Sequence, residues 1–107
     1  MYLTVVQTEI FQKHAAGIWK PDELDAFIGW IALHPQEGDV IPESGGLRKV
    51  RWSASGRGKS GGARVIYYNV LKDGTIWLLT VYTKARFDNL PPKILKELKN
   101  DIPKEKR

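Results

Sequence analysis

The sequence predicts an α+β fold in which two N-terminal helices and a C-terminal helix pack on a small, mainly antiparallel β-sheet. The first observation is size, because 107 residues are typical of one domain, so residues 1–107 are expected to share one core. The second is periodicity, since helical spacing of apolar residues before residue 34 gives way to strand-like runs after residue 46. A final amphipathic stretch follows two prolines near the C-terminus.

The predicted order begins with a strand and two helices. Residues 2–7, YLTVVQ, are rich in β-branched and aromatic side chains, which favours a strand. Thr8 is suited to cap a helix over residues 8–17. Pro21 suits the first turn of a second helix, and the acidic residues after it favour the positive end of the helix dipole. The His-Pro pair at residues 34–35 ends that helix.

Three more strands and a helix complete the predicted order, after a turn-rich loop at residues 36–46. Between the last two strands, Asp73-Gly74 is a hairpin signal, so these strands are expected to pair antiparallel. A glycine-rich basic connection separates the first two strands. The strands are predicted at residues 47–53, 63–71 and 75–83, the connection at 54–62 and the last helix at 93–100.

Charge is divided unevenly along the chain. The net charge is +5, but residues 1–43 carry seven acids and two bases, whereas residues 44–107 carry fifteen bases and five acids. No acid lies between Ser44 and Lys72, where there are seven bases. Such a stretch is suited to bind a polyanion through its phosphates. A solvated surface that serves solubility explains it equally well.

Several classes of function are disfavoured by residue content. The chain has no cysteine, which excludes disulfides, thiolate zinc sites and a cysteine nucleophile, and suits a reducing cytoplasm. No apolar run is long enough to span a membrane, so a cytoplasmic protein without membrane contact is expected. Gly58-Lys59-Ser60 lacks the upstream glycine and following helix of a phosphate loop. His14 and His34 have no metal-site spacing around them, so neither a metal nor a cofactor is expected.

Cations recur at alternate positions of the predicted strands. Strand alternation places three sets of residues each on one face of its strand: Lys49 and Arg51, Arg64 and Tyr68, and Tyr82, Lys84 and Arg86. If the three sets share one face, fixed cations there would stabilise charge on a phosphate attacked by an RNA 2′-hydroxyl. The alternative is that these residues face outward from a half-exposed sheet.

The segment from Gly45 to Lys84 resembles the RelE/ParE superfamily of bacterial toxins, most closely its HigB-like branch. The motifs that carry the resemblance are GGLRKVR, GKSGG, ARVIYY and LLTVYTK. The resemblance implies a compact ribonuclease that enters the ribosomal A site and cuts mRNA. It also implies a helix-turn-helix antitoxin encoded in the same operon, and binding of operator DNA only by the toxin-antitoxin complex.

The same resemblance implies roles for individual residues. Arg64 matches the arginine that stabilises the transition state, Lys49 and Arg51 match a cationic pair on the preceding strand, and Lys84 matches the lysine that closes the last strand. The chain departs from RelE proper at Ala85, where an arginine is expected, and near Pro91, where a tyrosine is expected. The predicted catalytic set is Arg64, Lys84, Lys49, Arg51 and Arg86, and the predicted RNA-binding set is Arg48, Arg57, Lys59, Lys72 and Tyr68.

The sequence leaves the general base and the target open. Lys49 or Lys84 with a lowered pKa would serve as base, or positioning by the ribosome would supply most of the rate. A ParE-like inhibitor of DNA gyrase and a non-enzymatic nucleic-acid-binding module are the alternatives to a ribosome-dependent, metal-independent mRNA endoribonuclease.

Overall fold

The computed structural model describes residues 3–53, 62–84, 86 and 89–107. Its elements confirm the α+β prediction: two helices, then most of the sheet, then a third helix. The strands are β1 (Thr4–Gln7), β2 (Asp39–Val40), β3 (Arg48–Trp52), β4 (Ala63–Val70) and β5 (Thr75–Thr83). The α-helices are α1 (Glu9–Ala16), α2 (Pro21–Leu33) and α3 (Pro92–Lys99), and short 3-10 helices span Leu71–Asp73 and Lys104–Lys106.

The five strands form one mixed sheet in the order β1-β5-β4-β3-β2. Only the β1–β5 pair is parallel among these strands, so the sheet is mainly antiparallel as predicted. The short strand β2 lies inside the segment predicted as a loop, because two residues in a turn-rich stretch give no periodic signal. The β4–β5 hairpin closes as predicted, with Gly74 in the left-handed conformation at φ 69°.

The sheet is covered on both faces. Helices α1 and α2 bury Phe11, Phe27 and Ile31 against one face. Helix α3 buries Leu95 and Leu98 against the other, as its apolar spacing predicts. The cluster on the α3 side also contains Leu47, Ile66, Leu79, Tyr82 and Ile102.

Thr8 joins α1 to the edge of the sheet. Its side chain caps the helix by accepting a hydrogen bond from the Phe11 backbone N–H at 3.2 Å, which confirms the predicted cap. The same hydroxyl donates to the carbonyl of Leu78 at 3.0 Å. Strand β1 pairs only with residues 75–78 of β5, so α1 runs beside the rest of that strand. This arrangement brings the end of α1 to the C-terminal half of β5.

Tyr67 anchors the loop between α2 and β3 on the α1 and α2 side. Its buried hydroxyl accepts from the Gly38 backbone N–H at 2.9 Å and donates to the Pro35 carbonyl at 2.8 Å. Burial raises the pKa of Tyr67 above its usual value of 10.0, although its hydrogen bond from Gly38 and the charge of Arg48 oppose this. The hydroxyl therefore stays protonated in the folded protein at neutral pH.

No helix within the described ranges is long and apolar enough to cross a lipid bilayer.

We expect Tyr67→Phe to lower the free energy of unfolding by about 1–3 kcal/mol at pH 7, because the Gly38 N–H loses its buried partner. The protein should also become less stable at alkaline pH. Folded Tyr67 keeps its proton to a higher pH than unfolded Tyr67, so its contribution is complete below pH about 10 and falls as pH rises through the higher folded-state pKa. Urea denaturation at pH 7 and 10.5 tests both points. The difference between the variant and the wild type should narrow at pH 10.5, and a constant difference would contradict the assignment.

Candidate active site

The strand register brings the predicted cations to one face of the sheet. Arg51 of β3 lies directly opposite Arg64 of β4, and Arg64 lies directly opposite Tyr82 of β5. Lys49 shares the face because it pairs with Ile66, two residues from Arg64. Directly opposed residues of antiparallel strands project to the same side, with β-carbons about 5 Å apart. The interpretation that these cations converge is therefore confirmed for Lys49, Arg51 and Arg64.

Arg64 is a buried arginine that forms no ion pair with a described side chain. Only 5% of its surface is exposed, and its Nη1 atom has no hydrogen-bond partner among the described residues. The only ion pair between described side chains joins Lys106 to Asp73, so no described carboxylate neutralises Arg64. A buried charge usually has a partner, and a like charge directly opposite is unfavourable. The Arg51–Arg64 pair is thus suited to receive an anion from outside.

Tyr82 lies on the other side of Arg64 and is 4% exposed. Burial raises the pKa of its hydroxyl above the usual value of 10.0, and the positive charge of Arg64 offsets part of that effect. At neutral pH, the hydroxyl is protonated. Tyr82 is therefore suited to donate a hydrogen bond to an anion held by Arg64, and it is poorly suited to act as a base.

The side chain of Lys49 forms a hydrogen bond with a residue outside the sheet. Its Nζ donates to Asn89 Oδ1 at 2.9 Å, and both residues line a small cavity of about 200 Å³ with Tyr82 and the first turn of α3. This contact fixes the ammonium beside the arginines. Asn89 gave no signal in the sequence because it lies in an irregular segment after β5.

The remaining predicted catalytic residues follow Tyr82 along the chain. Lys84 comes just after the last residue of β5 and is exposed, as is Arg86. The Arg86 backbone N–H donates to the Thr83 carbonyl at 3.0 Å, so the chain turns sharply there. Both cations therefore lie at the end of the strand that carries Tyr82.

Those predicted RNA-binding residues that the structure describes lie apart from this cluster. Arg48 alternates with Lys49 and faces the other side, where its Nη1 donates to the Gly38 carbonyl at 2.7 Å. Lys72 lies in the turn at the opposite end of the β4–β5 hairpin. Tyr68 shares the cationic face but is half-buried, with Lys99 Nζ 5.4 Å from its ring centre. Arg57 and Lys59 lie outside the described residues.

A cleft of about 1210 Å³ lies beside the cationic cluster. Helices α1 and α3 form two of its walls, and the C-terminal half of β5 lies between them. Tyr82 lines both this cleft and the small cavity beside Lys49, so the two are adjacent. The polar lining residues on the α1 and β5 side include His14, Thr80, Tyr82 and Arg86. Within the described part of the chain, no three His, Asp or Glu side chains are grouped to hold a metal ion.

The fold has a counterpart among solved structures. The structure of the toxin RelE from E. coli, a variant with two arginines replaced by alanine in the free state, superposes with a TM-score of 0.58. The match covers 82% of this chain and 90% of that chain, at 13% sequence identity. The chain has a RelE-like fold. No protein-family model matches the sequence.

At 13% identity the likeness concerns the backbone, so the roles of individual side chains depend on the geometry given above. Neither Tyr82 nor His14 belongs to the catalytic or RNA-binding set predicted from the sequence. Alternation already placed Tyr82 on the cationic face, whereas nothing in the sequence linked His14 to β5.

Replacing Arg64 with leucine should stabilise the protein. Leucine removes a buried charge that lacks a partner and removes repulsion from Arg51, so we expect the free energy of unfolding to rise by about 1–3 kcal/mol. Urea denaturation at low and moderate phosphate concentration measures this. Phosphate should stabilise the wild type more than Arg64→Leu, because only the wild type offers the buried guanidinium. A destabilised variant with an unchanged phosphate response would contradict the anion site.

Proposed function

We propose that this protein is the toxin of a type II toxin-antitoxin pair and that it cuts mRNA in the ribosomal A site. The observation that carries the proposal is the buried Arg64, whose Nη1 has no hydrogen-bond partner among the described residues, directly opposite Arg51 on a RelE-like sheet. Unpaired buried cations are unfavourable for stability, and such departures are expected at functional sites. A phosphodiester is an anion that this arrangement is suited to hold.

In the proposed reaction, the RNA 2′-hydroxyl attacks the adjacent phosphorus. A bond forms between the 2′-oxygen and phosphorus as a base takes the proton of the 2′-hydroxyl, the bond from phosphorus to the 5′-oxygen breaks, and the 5′-oxygen takes a proton from water. The products are a 2′,3′-cyclic phosphate and a 5′-hydroxyl. Arg64 stabilises the charge that builds on the phosphate oxygens, and Tyr82 donates a hydrogen bond to one of them.

The other cations hold the substrate around this centre. Arg51 of β3 lies directly opposite Arg64. Lys49 lies two residues from Arg51 on the same strand and donates a hydrogen bond to Asn89. Lys84 and Arg86 are exposed at the end of β5 and bind phosphates next to the scissile one. The ribosome orients the mRNA, and such positioning supplies a large share of the rate. The proposed enzyme works without a metal or cofactor.

The proposed partners follow from the same assignment. A helix-turn-helix antitoxin from the same operon neutralises the toxin, and an acidic or amphipathic segment is suited to cover the cationic face. Operator DNA is bound by the complex and not by the toxin alone. The proposed place of action is the cytoplasm, where translating ribosomes are found.

Arg64→Ala should abolish cleavage of mRNA in a translating extract, with a loss of about 10²-fold or more, because a preorganised donor to the transition state is removed. Arg64→Lys should recover little of the loss, since lysine cannot present a planar fork to a phosphate. Primer extension on the mRNA, with and without chelator, measures cleavage within the reading frame.

The matched control is Lys104→Ala, which removes an exposed cation from the C-terminal 3-10 helix and should leave cleavage unchanged within about 2-fold. Cleavage that persists in Arg64→Ala would refute the role of Arg64. Growth arrest with a DNA-damage response but without mRNA cleavage would favour gyrase inhibition. Salt-dependent RNA binding without toxicity would favour a non-enzymatic module.

A further inference from the structure

His14 is a titratable side chain that lines the cleft, and the reaction proposed above gives it no role. It lies in the last turn of α1 and is exposed, and its Nδ1 is 2.7 Å from Thr80 Oγ1. Apolar spacing on α1 suggests a place at the edge of the core. In the structure, the ring contacts Thr80 of β5, the strand that also carries Tyr82.

Thr80 is well placed to orient this ring. It is 4% exposed, and it pairs with Ile66 in the β4–β5 ladder, so its hydroxyl is held by the sheet. A histidine whose Nδ1–H donates to a fixed oxygen has its other ring nitrogen, Nε2, free to accept a proton. A fixed partner on one nitrogen is the usual way in which proteins orient an imidazole for proton transfer.

His14 is close to the place where Arg64 would hold a phosphate. Thr80 and Tyr82 are two residues apart on β5 and project to the same side, about 7 Å from each other along the strand. Tyr82 is the direct cross-strand partner of Arg64, and it lines the same cleft as His14. His14 therefore contacts the strand that pairs with the strand of Arg64, two residues from the cross-strand partner of that arginine.

Charged side chains of both signs line the cleft around His14. The titratable residues that line the cleft with His14 come from each neighbouring element: Lys13 of α1, Glu23 of α2, Tyr82 of β5, Arg86 after β5 and Glu97 of α3. The Arg51–Arg64 pair lies beyond Tyr82. A neutral imidazole is the form of histidine that acts as a base.

We propose that His14 is the general base of the reaction and that Thr80 is its positioning residue. This inference rests on the proposed ribonuclease function. His14 Nε2 takes the proton of the 2′-hydroxyl as the bond from the 2′-oxygen to phosphorus forms. The bond to the 5′-oxygen breaks, water supplies the proton to that oxygen, and the imidazolium returns its proton to solvent. Lys49 and Lys84 are then left as charged groups that hold the phosphate.

His14→Ala should lower the single-turnover cleavage rate on mRNA-programmed ribosomes by about 10²-fold or more, with little change in ribosome binding. Below pH 7 the wild-type rate should rise with pH, and the variant should lose that dependence. Added imidazole should restore part of the variant's rate, and more basic imidazoles should restore more. Thr80→Val should lower the rate with unchanged ribosome binding, and Thr80→Ser should retain it.

The matched control is Gln12→Ala, an exposed position of α1 that does not line the cleft. Circular dichroism of each variant checks that the fold is intact. If the wild type cleaves mRNA and His14→Ala does so at a similar rate, this inference is refuted and the proposed function stands. A slower His14→Ala that imidazole does not restore shows a structural role and also refutes it. If the wild type itself does not cleave on ribosomes, the proposed function fails instead.

Discussion

The antiparallel pairing of β3, β4 and β5 is the constraint on which the site depends. This register places Arg51, Arg64 and Tyr82 side by side across three strands. A shift by one residue would send every one of these side chains to the opposite face, where α1 and α2 bury the core. The apolar residues between the cations prevent that shift, because Val50, Val65 and Val81 are buried on the opposite side. The same packing that stabilises the sheet therefore fixes the cationic cluster.

The two faces of the sheet are used differently. Beneath α1 and α2, the hydroxyl of Tyr67 and the guanidinium of Arg48 form hydrogen bonds to the backbone of the loop between α2 and β3. On the α3 side, Arg64 has a buried nitrogen without a partner among the described residues. A folded protein tolerates such a group at a cost in stability, and that cost is expected where charge must be held ready for a ligand. Stability and the proposed activity thus oppose each other at one residue.

Helix α1 connects the acidic N-terminal half of the chain to the site. Because β1 covers only the first part of β5, Thr8 can attach α1 to the sheet just where the parallel pairing stops. The helix then runs beside the rest of β5 and brings His14 to Thr80. The net charge of +5 conceals this difference between the two halves, since the basic half carries the proposed phosphate-binding residues and the acidic half supplies the proposed base.

The sequence by itself determined the order of the helices and longer strands, the hairpin at Gly74, the Thr8 cap and the set of cations on alternate strand positions. These features depend on local preference and on a period of two or 3.6 residues, which can be read along the chain. Only the tertiary structure separated Arg48 and Lys72 from the cluster, showed that Tyr82 lies directly opposite Arg64, and added Asn89 and His14 to its surroundings. Burial, cross-strand register and contact between α1 and β5 join residues that are far apart in sequence, so no local pattern records them. That Arg64 Nη1 has no partner in the described part of the chain is likewise a property of the folded sheet, because it depends on which side chains surround that guanidinium.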